Sequence, residues 1–343
     1  MSKISVCIPA YNRAKVLPDL LDSILEQSFA CHEVVICEDN SPERKLIRAV
    51  VERYQARSVI NIRYVENEVN LGFDGNLRKL IEICDGDYCM FMGNDDLMAE
   101  GALESINRCL QKYQNIGVLI RSYASFNVTP DNIDQEFRYF PNEKVFSRGS
   151  EAIVVAYRRC VVIPGVVIKA DLARSVATSR FDGTLLYQLY IVGNILAESD
   201  AVFLPDIVTL YRNNGVPEFG NAEAEQNVFV PGNRTVESSV AFVRGMLNIA
   251  KDIETERKIN VYNGILRDIA NYSYPILSIQ REKGAIVFIK YWRSLGKLGL
   301  GSNAFFNLYF VTLLIFGEKF ADQMIRLIKR WYGSTPRLSR LIQ

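Results

Sequence analysis

The sequence predicts an α/β fold, a mostly parallel sheet with helices on both faces, followed by a helical C-terminal region. Three observations carry this. Up to Tyr113, short apolar runs of strand length alternate with stretches whose apolar residues recur at helical period. The early apolar runs end in polar, turn-forming residues. Beyond residue 235 the pattern is helical throughout. Successive βαβ units imply parallel strands with crossover helices packed on the two faces.

Residues 4–9 read as the first strand. Residues 15–27 follow as a helix with an apolar stripe of Val16, Leu17, Leu20, Leu21, Ile24 and Leu25, and Pro18 suits its first turn. Strands at 33–38, 62–66 and 88–92 alternate with helices at 44–54, 76–84 and 99–113. The pattern then loosens. Residues 118–126 and 161–169 read as strands, the second interrupted by Pro164-Gly165. Residues 185–196 read as a helix and 201–212 as a strand. Residues 213–233 are polar and Gly-rich, which predicts a mobile loop. This divides the chain into a domain at 1–235 and a helical region at 236–343.

Composition sets outer limits. A hydrophobic content of 49% and a charged content of 23% describe a chain able to build a core. The net charge of +1 hides an asymmetry. From Arg281 to Gln343, 11 Lys and Arg face 3 Asp and Glu, so the tail is basic and the body acidic. The seven cysteines form no CxxC pair, and Cys7, Cys37 and Cys89 lie in apolar runs. Reduced core thiols and a cytoplasmic location are expected. No secretory segment precedes the first strand. His32 is the only histidine, which excludes multi-His zinc sites and chemistry needing a second His.

In a parallel sheet, ligands bind at the C-terminal ends of the strands. Four early strands end in chemistry-bearing groups: Pro9-Ala10-Tyr11-Asn12-Arg13, Glu38-Asp39-Asn40-Ser41, Asn70 through Gly72 to Asn76, and Gly93-Asn94-Asp95-Asp96. Tyr11 can stack on a base, and Asp39 can accept from a base N–H. Arg13 can neutralise phosphate, and Gly72 permits close backbone approach. Asp95 and Asp96 are adjacent carboxylates at a strand end. A divalent cation held with phosphate oxygens would neutralise them; alternatively, Asp96 caps the following helix. Neither GxGxxG nor GxxxxGK[ST] occurs, which removes dinucleotide and P-loop readings.

The segments Ile4 through Asn12, Leu21 through Ser28 and Glu33 through Ser41 resemble the opening of family 2 glycosyltransferases. Asn70-x-Gly72-Phe73-Asp74-x-Asn76 and the run from Gly86 to Asp96 resemble the bacterial O-antigen, abequosyltransferase-like branch. The resemblance is dense from Ile4 to about Tyr113, and Leu210-Tyr211-Arg212 resembles the family's closing strand. It implies a GT-A-type, Rossmann-like fold and a nucleotide-diphosphate sugar donor. It implies that Ala10, Tyr11, Arg13 and Asp39 line the nucleotide site. Pro9, Glu38, Gly72, Asn76 and Asn94 complete the expected set at the strand ends. It also implies that Asp95 is the principal ligand of Mn²⁺ or Mg²⁺, with Asp96 as a second. Here Gly93 takes the first place of the usual Asp-x-Asp. The family's inverting members use a carboxylate base in an acceptor-side helix, but Gln188 holds that place. Asp182 is the nearest carboxylate, with Glu198 and Asp200 behind it.

The resemblance implies a lipid-linked oligosaccharide acceptor at the inner face of a bacterial cytoplasmic membrane. The tail agrees with this. An apolar run at 304–317 is too short to span a bilayer. Arg326, Lys329, Arg330, Arg337 and Arg340 follow it, with Trp331 and Tyr332. Such a segment reads as an anchor lying on an anionic membrane surface. The alternatives are packing on the catalytic domain or on a second subunit of a homo-oligomer. No nucleic-acid partner is expected. The tail lacks the Gln of a QxxRW motif, which argues against a processive synthase. Two rival functions stand beside the transferase. A nucleotidyltransferase would need a basic Gly-rich loop after the first strand, and Asn12-Arg13-Ala14-Lys15 has no glycine. A non-catalytic sugar-nucleotide-binding protein would tolerate Gly93 and Gln188.

Overall fold

The structure, a computed structural model, describes residues 2–215 and 217–332. The N-terminal part alternates β1 (Ile4–Ala10), α1 (Leu17–Leu25), β2 (Glu33–Glu38), α2 (Arg44–Gln55), β3 (Asn61–Glu66), α3 (Gly72–Ile83) and β4 (Tyr88–Phe91). Then come β5 (Leu97–Met98), α4 (Ala102–Lys112), β6 (Ile116–Phe126), β7 (Ile133–Phe137), β8 (Lys144–Phe146) and α5 (Ser150–Arg159). They are followed by β9 (Val167–Lys169), α6 (Ala170–Ser175), α7 (Tyr187–Ile195) and β10 (Asp200–Arg212). The C-terminal region is α8 (Val236–Arg257), α9 (Tyr262–Asn271), α10 (Tyr274–Ser278), α11 (Ala285–Lys297) and α12 (Ala304–Tyr332).

One sheet runs β3-β2-β1-β4-β9-β6-β10-β5, with β7 on β6 and β8 on β10. β1 to β4 pair in parallel, as do β6 and β10. β9 is antiparallel to both β4 and β6, so those two run the same way. The C-terminal ends of β1, β2, β4, β6 and β10 therefore share one edge. Each central strand is buried on both faces, which is why it reads as a continuous apolar run rather than an alternation. Val6 and Ile8 pack with Leu20, Leu21, Ile47 and Leu103 on one face; Cys7 and Val35 pack with Leu77, Leu80 and Ile81 on the other. Each such fully buried aliphatic side chain contributes about 1.5–3 kcal/mol.

Several expectations shift. The strand read at 161–169 is only β9, because Pro164 lacks an N–H and Gly165 adopts φ +81. The helix read from residue 76 begins at Gly72: Asn70 Oδ1 accepts from Gly72 N, and Glu225 Oε1 accepts from Phe73 N. β7 is a largely exposed edge strand without apolar alternation, which the sequence pattern does not mark. All seven cysteines are free and buried.

The helices after residue 235 share an apolar core with α5 and α7, and Tyr157 donates to Met246 O at 2.7 Å. α11 and the first half of α12 belong to that core through Phe288, Tyr291, Leu295, Phe306 and Leu313. The segment that the sequence reads as an anchor is thus partly interior. Its outer side is not: Leu308, Val311, Ile315 and Phe316 lie at helical spacing and are exposed. α12 breaks at Gly317, whose φ is +73. Arg337 and Arg340 lie outside the described residues, as do the side chains of Arg326, Lys329, Arg330, Trp331 and Tyr332. Among the described residues no helix is long and apolar enough to cross a membrane.

Candidate active site

The turn after β1 is strained. Asn12 and Arg13 adopt φ +53 and +65, consecutive non-glycine residues in the left-handed region. Each costs about 1–2 kcal/mol. The turn directs the Arg13 guanidinium onto the Asp95 carboxylate as an ion pair. Asn94 Nδ2 donates to Asn12 O at 2.9 Å, tying the β4 turn to the β1 turn. Pro9 and Ala10 close β1, and Ala10 O accepts from Asp39 N at 2.9 Å. Tyr11 is half-buried at the mouth; burial and the charges of Glu218 and Asp39 raise its phenol.

Glu38 and Asp39 divide their work. Glu38 is fully buried and accepts from Asn40 N, Ser41 N and Arg44 Nε at 2.7–3.0 Å. Its oxygens hold the turn and the start of α2. Asp39 Oδ1 accepts from Asn67 Nδ2 at 2.8 Å and Leu71 N at 2.9 Å. Burial nevertheless pushes its pKa up to about 6. Asn76 stands behind Asn67, accepting from it and donating to Cys37 O at 2.9 Å. It scaffolds the residues that face Asp39.

At the β4 end, Asp96 is buried. Its Oδ1 accepts from Arg212 N at 2.9 Å, and its Oδ2 has no partner among the described residues. The helix-cap reading of Asp96 is overturned: α4 starts only at Ala102 and is preceded by Gly101 in a left-handed conformation. Burial first, then Asp95, raises Asp96 well above the ordinary carboxylate range. Burial also raises Asp95, against the pull of Arg13. Gly93 is explained by the same corner. An ideal Cβ there would lie 2.4 Å from Asp96 Oδ2 and 3.4 Å from Asp95 Oδ1. The Asp96 carboxylate thus occupies the space that an Asp at position 93 would need. One orphaned buried oxygen beside a second carboxylate fits a divalent cation that takes most of its ligands from phosphate and water.

The loop at 213–234 covers this edge. Glu225 is buried, with Oε1 accepting from Phe73 N and Oε2 from Gly220 N. Glu218 accepts from Asn12 Nδ2 at 3.3 Å, and Phe219 meets Phe73 edge-on with ring centres 5.7 Å apart. A Cβ on Gly72 would lie 2.8 Å from Glu225 Oε1, so the close approach Gly72 permits is to this loop. A Cβ on Gly183 would lie 2.0 Å from Ala224 O, so the loop wedges between α3 and the segment before α7.

That segment is held by Asp74, which the sequence placed in a motif without assigning it a task. Its oxygens accept from the backbone N–H groups of Thr184, Leu185 and Tyr187, each at 2.8 Å. Burial still raises it to about 7. Asp182 pairs with Arg78 of α3. Gln188 is buried: Nε2 donates to Val161 O, and Oε1 has no partner among the described residues. Glu198 pairs with Arg257, and Asp200 accepts from Arg148 N. Asp200 opens β10 while Arg212 closes it, so Glu198 and Asp200 lie at the sheet edge opposite Asp96. Sequence reasoning missed Asn67 and Glu225, whose partners are distant in the chain, and gave Arg212 a place in the closing strand without a task.

Residues 5–161 match the sequence model of Glycosyl transferase family 2. Abequosyltransferase RfbV of Salmonella typhimurium is 32% identical over 113 residues, 33% of this chain and 34% of that protein. A GalNAc(5)-diNAcBac-PP-undecaprenol beta-1,3-glucosyltransferase of Campylobacter jejuni is 30% identical over 31% of this chain and 34% of its own length. The matched stretch thus spans about a third of these relatives. Among solved structures, S. aureus TarS 1–349 in complex with UDP-GlcNAc superposes with a TM-score of 0.60 at 17% identity, over 86% of this chain and 80% of that one. Mannosyltransferase PcManGT from Pyrobaculum calidifontis, in complex with GDP-Man and Mn²⁺, gives 0.51 at 13% identity, over 92% and 87%. These likenesses show the fold.

Proposed function

We propose, from the premise that residues 5–161 are a family 2 glycosyl transferase domain, that the chain moves a sugar from a nucleotide-diphosphate sugar to a lipid-linked oligosaccharide in bacterial surface polysaccharide synthesis. The observation that carries this reading is the corner at the sheet edge. There an orphaned Asp96 oxygen and the Asp95 carboxylate converge beside Arg13, with Asp39 and Tyr11 on the neighbouring strands.

Asp95 and Asp96 would hold Mn²⁺ or Mg²⁺. Such an ion supplies positive charge to the diphosphate as the sugar departs. Arg13, released from Asp95, swings to a phosphate oxygen. Asp39 accepts from the base, and Tyr11 stacks on it. Pro9, Ala10 and Asn94 shape the floor, while Glu38, Gly72 and Asn76 keep it in place. The loop at 213–234 closes over the donor and excludes water. Asp182 takes the acceptor proton once the acceptor displaces Arg78, and the hydroxyl attacks opposite the leaving nucleotide with inversion.

The acceptor reading draws on the undecaprenol-linked substrate in the name of the Campylobacter relative. It also draws on the exposed apolar row of α12 within a basic tail, which suits peripheral attachment to the inner face of the cytoplasmic membrane. A donor-binding protein without transferase activity is the second reading, favoured by Gln188 in the base's usual place; donor hydrolysis on addition of Mn²⁺, if measured, would rule it out.

Calorimetric titration with UDP-, CDP-, GDP- and dTDP-sugars tests the site. One of them should bind in a Mn²⁺-dependent way, and Asp95→Asn should abolish that dependence while leaving the fold intact. Undiminished Mn²⁺-dependent affinity in Asp95→Asn would sink the assignment.

A further inference from the structure

Beneath the sheet, away from the carboxylate edge, three cysteines converge. Cys7 lies on β1 and Cys89 on β4. The register pairs Ser5 with Cys89 and Cys7 with Phe91, so the two thiols are diagonal neighbours on one face. Cys84 follows the last residue of α3, which packs on that face. All three Sγ atoms lie within 4.8 Å of one another. Sulfurs bound to one Zn²⁺ at about 2.3 Å sit about 3.8 Å apart, so small side-chain shifts close the triangle. Two of the thiols are carried by adjacent strands and the third by the residue that caps α3, which preorganises the set.

Buried cysteines commonly serve as small apolar fillers. A second observation separates this group from filler. Arg174 of α6 donates to Cys84 Sγ at 3.5 Å and to the carbonyls of Ile81 and Cys84. Among the described residues it forms no ion pair with a carboxylate. Three thiolates around a divalent cation carry a net charge of −1, and Arg174 brings the total to zero. Arg174 is exposed while Cys84 is 2% exposed, so the arginine roofs the cluster and its rotation opens a path.

We propose that Cys7, Cys84 and Cys89 form a structural site for a thiophilic divalent cation of the Zn²⁺ class. Binding releases three thiol protons, forms three metal–sulfur bonds and transfers no electrons. A water or a nearby carbonyl takes the fourth position; Ile81 O lies 3.5 Å from Cys84 Sγ and Ser5 O 3.7 Å from Cys7 Sγ. The ion would pin the end of α3 to β1 and β4, and so steady the helix that carries Asp74 and Asn76.

The test titrates Co²⁺ into the reduced, chelator-treated full chain. One equivalent should produce thiolate-to-metal charge-transfer absorption, which carboxylate ligands do not give, and Zn²⁺ should displace it and raise the melting temperature. Cys84→Ala should abolish the band. Cys160→Ala, at a buried cysteine outside the cluster, and Asp95→Asn should keep it. Should Cys84→Ala fail to fold, Arg174→Gln at the exposed roof should fold and bind Co²⁺ at least tenfold more weakly. No band in the wild-type chain, a band persisting in Cys84→Ala, or ready oxidation to a disulfide in the presence of Zn²⁺ would overturn the site.

Discussion

Replacing Gly93 by alanine adds one methyl group to the corner where Asp95 and Asp96 meet. The effect is steric rather than conformational, because Gly93 is not among the glycines with positive φ. The new Cβ would stand 2.4 Å from Asp96 Oδ2, about 1 Å inside ordinary contact. A free carboxylate would rotate away at little cost. Asp96 is 1% exposed, and its other oxygen is bonded to Arg212 N, so it has nowhere to turn. Overpacking of this kind costs about 1–3 kcal/mol. Relieving the clash by giving up the hydrogen bond from Arg212 N instead costs about 1–3 kcal/mol. By either route Gly93→Ala should destabilise the chain by about 1–3 kcal/mol and weaken Mn²⁺-dependent donor binding together with it.

Urea denaturation gives the first quantity and calorimetry the second. A double-mutant cycle sharpens the test. In Gly93→Ala combined with Asp96→Ala, the clash vanishes, so the pair should be less destabilised than the two singles added, by about 1–3 kcal/mol. Strict additivity, or a Gly93→Ala variant with unchanged midpoint and unchanged Mn²⁺ response, would refute the claim that the Asp96 carboxylate fills the place of the motif's first acid.

Three further outcomes are expected. Asp39 is raised by burial to about 6 from its ordinary 3.8, so between about pH 4 and pH 6 the folded chain holds a proton that the unfolded chain has lost. Its contribution to stability is full below that window and falls as pH rises through it, while nucleotide affinity rises as the carboxylate forms; Asp39→Asn should flatten both profiles, and a profile identical to wild type would place the titrating group elsewhere. Asp182→Asn should cut turnover by orders of magnitude with donor affinity spared, as expected for a group acting in the transition state; persistent turnover would move the base to another segment. Leu308→Glu with Ile315→Glu should release the chain from anionic vesicles without unfolding it, since both side chains are exposed. Binding of the wild type should weaken with salt, each nearby Lys or Arg contributing about 1 kcal/mol; vesicle binding indifferent to both changes would leave the α12 row without a lipid partner.

The parallel strands were legible because their cause is local. A strand buried on both faces must be apolar through its middle, and β2 is so from Val34 to Cys37, between Glu33 and Glu38. Its turn must be polar, since backbone groups there leave the ladder. β7 was not legible: it is a largely exposed edge strand with a polar middle, held by its pairing with β6 rather than by its own pattern. The same division runs through the site. That carboxylates and an arginine reach one edge follows from strand order alone. Which of them stays available does not, because availability depends on donors that arrive from elsewhere in the chain. Glu38 and Asp39 are adjacent acids in one turn, yet three donors occupy both oxygens of Glu38, while the two donors to Asp39 share its Oδ1 and burial leaves it raised. Asp74 and Asp182 both sit in polar stretches beside glycine. One accepts three backbone N–H groups from residues 110 and more positions away; the other meets a single arginine. Glu225 read as part of a mobile loop because nothing local marks it, and the N–H groups of Phe73 at the start of α3 and of Gly220 in the loop give that carboxylate a reason to be buried. Catalysis needs carboxylates whose partners can be exchanged for substrate. By that criterion Asp95, paired with Arg13, and Asp96, with its spare oxygen, suit the ligand role proposed for them, whereas Glu38 and Asp74 are committed to the fold.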